Sequence, residues 1–162
     1  MNFSFSFLLI LIFLTASCTH RIASGTYRGT ELISIASDNR FWPGIFKPDS
    51  NIDKSGNQWY HDVTIVIKKD SATIIKKPFY IKDGRKNYSS SSGGFYYYKG
   101  DIEYDKKDKT FTIFSSLDTC RFCPSSATAT PLYTYEDYEI KRIKGKLLVK
   151  TNYEKDLIFQ RQ

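Results

Sequence analysis

The chain is poor in the residues on which several functional classes depend. Its 162 residues include 1 Met, 2 Trp, 2 His and 3 Cys. Cys120 and Cys123 are spaced as half of a zinc site, yet no second Cys-x-x-Cys or histidine pair exists to complete one. The same pair as a redox couple requires a helix start within a βαβ pattern, and no stretch has a convincing helical period. The Ser89–Gly94 loop lacks the following Lys-Ser/Thr and helix that a phosphate cradle needs. No Ser-His-Asp or Cys-His constellation can be assembled. These absences argue against an enzyme, and no metal or cofactor is expected. Residues 1–17 also contain no charged side chain, so the rest of the chain holds the whole formal net charge of +7.

What is abundant is aromatic: 12 Tyr and 12 Phe in a chain that is 41% hydrophobic. Such side chains suit a pleated, half-buried surface, and a content this high excludes a disordered chain. The basic balance suggests attraction to anionic surfaces.

The longest apolar run, from Phe7 to Leu14, is followed by Ala16, Ser17 and then Cys18. It is shorter than a bilayer span and ends at small residues, as a secretory signal does. Because a cysteine follows directly, the segment resembles a bacterial lipoprotein signal. That resemblance implies cleavage before Cys18, acylation of Cys18 with palmitate-like chains, and a protein of the bacterial cell envelope facing the periplasm or the cell surface. A plain signal peptide with a secreted product, or an uncleaved anchor, is the alternative. All three place the remainder outside the cytoplasm. The available anions there are lipid headgroups and acidic glycans, and no nucleic acid partner is expected. Acylation of Cys18 would also leave two cysteines, Cys120 and Cys123, able to form a local disulfide. Free thiols are the other option.

The domain division expected is a signal over 1–17, a tether over 18–24 and one domain over 25–162. Gly25 to Ala36 reads as a first strand. Residues 37–57 form a long loop whose Phe41, Trp42, Ile45 and Phe46 suit a flap folded over the core. Trp59, His61, Val63, Ile65 and Ile67 then alternate with more polar residues, a clear period of two. Further strands are expected over 72–82, 95–104, 110–117, 132–143, 146–151 and 156–160. The turns between them are marked by Lys69-Asp70, Asp83-Gly84 and Lys144-Gly145. Pro78 marks an edge, bulge or bend.

The sum is all-β: a single up-and-down antiparallel barrel of about eight strands, with a β-sandwich as the alternative. The Gly25-Thr-Tyr27 start, the early flap and the final Gly-turn hairpin resemble lipocalin-like domains of bacterial lipoproteins. That likeness implies a binding module for a small apolar or amphipathic ligand, with Trp42, Phe46, Trp59 and Tyr97 as candidate ligand residues. The competing function is an interaction lipoprotein. It would contact anionic lipid or glycan through basic turns at Lys76-Lys77, Lys106-Lys107 and Lys141-Arg142. His61 reads as a strand histidine with a local hydrogen bond. Glu136, Asp137 and Glu139 read as ion-pairing residues of an exposed face.

Overall fold

The structure is a computed structural model that describes residues 21–33, 52–88, 95–121, 135–150 and 156–162. Nine strands follow in order: β1 (Gly25–Leu32), β2 (Trp59–Lys68), β3 (Ser71–Lys82), β4 (Arg85–Asn87), β5 (Phe95–Asp105), β6 (Thr110–Arg121), β7 (Tyr135–Ile143), β8 (Lys146–Lys150) and β9 (Leu157–Arg161). Each is antiparallel to its neighbours, in the order β2-β1-β9-β8-β7-β6-β5-β3-β4, and pairing of β2 with β3 closes the ring. Eight strands form the closed barrel. Closure removes the exposed edges that an open meander would leave.

The ninth strand, β4, lies beside the far end of β3, where it pairs Tyr80 to Lys82 with Asn87 to Arg85. Pro78 sits between the last β3–β5 pair, at Lys76, and the first β3–β4 pair, at Tyr80. That gap suits a residue with no backbone donor. Outside the barrel, Phe79 stacks on Tyr60 at 5.5 Å and is covered by Tyr88 at 5.7 Å and the Lys86 ammonium at 4.4 Å.

The period of two decides what faces inward. On β2 the buried set is Trp59, His61, Val63, Ile65 and Ile67. These pair with inward residues of both neighbours: Tyr27 and Glu31 on β1, and Ala72, Ile74 and Lys76 on β3. Tyr96, Tyr98, Ile113, Tyr138, Ile140, Leu147, Val149 and Phe159 complete a core in which each is at most 3% exposed. Two glycines let the walls approach. A methyl on Gly29 would lie 2.8 Å from the Phe159 ring, and one on Gly100 would run into the backbone carbonyl of Phe114.

The two ends of the barrel differ. At one end the connections are the short β2–β3, β5–β6 and β7–β8 turns, and residues 21–24 pack there too. Ile22 is buried in the core, the Tyr27 hydroxyl donates to the Ala23 carbonyl at 2.7 Å, and Arg21 pairs with Asp70 at 3.2 Å. Residues 21–24 of the expected tether are therefore packed against the barrel, because Ile22 has apolar surface to bury. All the long connections leave from the other end.

Several expectations are corrected. β1 ends at Leu32, earlier than Ala36, and β6 runs on to Arg121, beyond the expected end at 117, so Cys120 lies in a strand. Between Tyr97 and Tyr98 the β5–β6 register shifts, with Asp118 the extra residue. Such a bulge lets a strand continue past an irregularity.

Candidate functional site

Inward positions near the long-connection end are not apolar. Glu31 on β1 lies directly opposite His61 on β2, and Lys76 on β3 lies opposite both Val63 and Tyr96. From the far wall, three strands away in either direction, β7 contributes Glu136 and Tyr138. The two groups meet across the lumen. The Lys76 ammonium lies 2.5 Å from Glu31 Oε1 and 2.6 Å from Glu136 Oε1. The Tyr138 hydroxyl donates to Glu31 Oε2 at 2.8 Å, and His61 Nδ1 donates to Glu31 Oε1 at 3.2 Å. Ser115 donates to the Glu136 backbone carbonyl and holds the start of β7 against β6.

Two carboxylates thus share one ammonium. Burial works against the charge on Glu31, but Lys76 and the bonds from His61 and Lys76 outweigh it, lowering its carboxyl pKa to about 2. Glu136 goes the other way: burial, reinforced by the Glu31 charge, raises it despite Lys76. Lys76 itself is held well above its usual range, because its two carboxylates outweigh the cost of burying it. Of the two carboxyls, Glu136 is therefore the readier to take up a proton. It is also the best placed to receive one, with 24% of its side chain exposed against 8% for Lys76 and 10% for Glu31.

An aromatic rim lies beside this network. Trp59 packs with Ile33, and its ring lies 4.8 Å from Tyr80. A compact turn fixes it: Asp53 accepts hydrogen bonds from the Asn57 backbone, the Asn57 amide and Trp59 Nε1, all within 2.9 Å. Burial raises the Asp53 pKa, but these donors outweigh it and the net shift is downward. The opposite half of the lumen is filled by Ile65, Ile67, Ile74, Ile113, Ile140 and Phe159. A ligand entering from the long-connection end would meet the rim and the charged network before this packed half.

Of the candidate ligand residues, Trp59 lies at this rim. Tyr97 does not face the lumen; it alternates with the inward Tyr96 and Tyr98, and the Arg121 guanidinium lies 5.7 Å from its ring. Trp42, Phe46, Cys18 and Cys123 lie outside the described residues. Lys76 is not part of a basic turn; its β3 position, in phase with Ala72 and Ile74, turns it inward. Glu136 is likewise drawn inward, in phase with Tyr138 and Ile140. The partner of His61 is 30 residues away in sequence, not local. Asp62 faces away from His61 and instead accepts from Lys86 and Tyr88.

Among the described residues, no group of three or more His, Cys, Asp or Glu is arranged to hold a metal ion. No helix among them is long and apolar enough to cross a membrane. The fold class is a closed eight-stranded antiparallel barrel with one added strand, consistent with a lipocalin-like layout. Comparisons with protein-family models, curated proteins and solved structures find no match.

Proposed function

We propose that this chain is an exported, lipid-anchored protein of the bacterial cell envelope whose barrel is a non-catalytic binding module for a small amphipathic ligand. The observation that carries the binding reading is a charged network spanning the lumen beside an aromatic rim, at the end where the long connections leave. A buried ion network is a poor means of stabilising a barrel, since well-packed apolar residues of similar volume do at least as well. Its position near the mouth favours recognition instead. The ligand's apolar part would lie on Trp59, Ile33 and Tyr80, and its polar end would approach Glu136. With two carboxylates against one ammonium, the preferred polar end is a hydrogen-bond donor such as a hydroxyl, amide or amine. Export and anchoring rest on the Phe7–Leu14 run and Cys18, and a Cys120–Cys123 disulfide accords with that oxidising location.

The test is titration of the full chain, held in lipid nanodiscs, with single-chain amphiphiles that differ only in an amine, alcohol or carboxylate head. Trp59 fluorescence is read against a Trp59→Phe control. Saturable binding of the amine or alcohol, weakened in Glu136→Leu, is the expected result. No saturable change with any of them, or a preference for the carboxylate, would sink the reading.

A further inference from the structure

The short-turn end of the barrel has an excess of positive charge. The β2–β3 turn has Lys68 and Lys69 against Asp70, and the β5–β6 turn has Lys106, Lys107 and Lys109 against Asp105 and Asp108. The β7–β8 turn, Arg142 to Lys146, has three basic residues and no acid. All of these side chains are exposed. Across these three turns eight basic residues stand against three acidic ones, a net +5 in a chain whose formal net charge is +7.

Local backbone geometry gives a second, independent sign. Each of the three turns places a lysine in the left-handed region: Lys69 at φ 56°, Lys109 at φ 53° and Lys144 at φ 28°. Glycine or asparagine would occupy such positions with less strain. Lysine at all three points to a use for the charge. Between Arg142 and Lys144, Ile143 is 48% exposed, an apolar tip within the basic ring.

The chain enters the barrel at this same end. Arg21 pairs with Asp70, and the Arg21 carbonyl accepts from Arg142 at 3.5 Å. Two residues separate Cys18 from Arg21, and the three Cα–Cα steps reach at most about 11 Å. That is close to the distance over which exposed charges act at physiological salt, roughly 8 Å.

We propose that the short-turn end of the barrel lies against an anionic lipid bilayer, which turns the long-connection end and its charged network away from the membrane. The inference rests on the lipid-anchor reading of Cys18, because that anchor holds this end within electrostatic range. The basic turns meet the headgroups and Ile143 enters the interface. Each basic residue near such a surface changes binding by about fivefold, so reversing three of them shifts the docked balance by at least on the order of a hundredfold.

The test is lysine acetylation read by mass spectrometry on the full chain. It is reconstituted in vesicles of phosphatidylcholine alone or mixed with phosphatidylglycerol. In the anionic vesicles Lys106, Lys107, Lys144 and Lys146 should lose several-fold in reactivity, while Lys82 and Lys86 near the β3–β4 hairpin stay unchanged. High salt should restore reactivity at all four, and in the variant Lys106→Glu/Lys107→Glu/Lys144→Glu, with its circular dichroism intact, Lys146 should regain it. Equal reactivity in both vesicle types, or protection of Lys82 and Lys86 instead, overturns the proposal. Retention on vesicles in high salt reports on the anchor separately. A chain retained but never protected is anchored without docking. One protected at low salt but washed off by high salt docks without the anchor.

Discussion

Replacing Lys76 with methionine tests the charged network directly. Methionine fills a similar volume but leaves Glu31 and Glu136 facing each other across the lumen with no cation between them. In the wild type, the fall of the Glu31 pKa from 4.5 to about 2 corresponds to about 3 kcal/mol of preference for its ionised form. Because this pKa is lowered on folding, that stability is fully present above pH 4.5 and is lost as the pH falls towards about 2. Without Lys76, burial is no longer outweighed, and breaking a buried pair by removing one partner costs about 3–5 kcal/mol. Urea unfolding followed by far-UV circular dichroism, at pH 7 and near pH 4.5, measures both effects. Lys76→Met should lose several kcal/mol at pH 7 and recover part of it on acidification, as its carboxylates take up protons. In the wild type the Glu31 contribution should instead be unchanged between those two pH values and be lost only below pH 4.5. A loss below about 1 kcal/mol at pH 7, or one of equal size at both pH values, would refute the reasoning.

Gly100→Ala should destabilise the barrel more than Gly29→Ala. The added methyl meets the Phe114 backbone in the first case and a side-chain ring in the second, where the cost is about 1–3 kcal/mol; thermal unfolding of the two variants ranks them. The double variant Cys120→Ser/Cys123→Ser should remain folded and lose about 2 kcal/mol or less, since so short a loop constrains the unfolded chain little; denaturant titration with and without reductant checks this. Cys18→Ser should leave the barrel folded but abolish acylation and release the chain from the membrane. Fractionation read together with the mass of the N-terminal peptide separates that outcome from retention by an uncleaved signal.

Much of the architecture is legible residue by residue. The alternation from Trp59 to Ile67 assigns β2 and its inward face, and Lys69-Asp70, Asp83-Gly84 and Lys144-Gly145 each mark a turn. A sequence of strands joined mostly by short turns implies a meander, and a meander of this length closes because closure pairs its edges. The small strand β4 escapes notice because three residues are too few to show a period.

The charged network is a different matter. Lys76 and Glu136, each beside further charged residues, read as surface groups, since buried charges are rare. A signal is present: Lys76 is in phase with Ala72 and Ile74, Glu136 with Tyr138 and Ile140, and His61 with Trp59 and Val63. Phase alone, however, says only that a side chain shares a face with apolar neighbours, not that a countercharge waits there. Glu31 and Tyr138, which share a hydrogen bond, are 107 residues apart in sequence. Local pattern determined the strands, their turns and the side each residue faces. Only closure of the barrel brought the walls of β1, β3 and β7 within hydrogen-bonding distance, and that proximity is what makes burying Lys76 between two carboxylates tolerable.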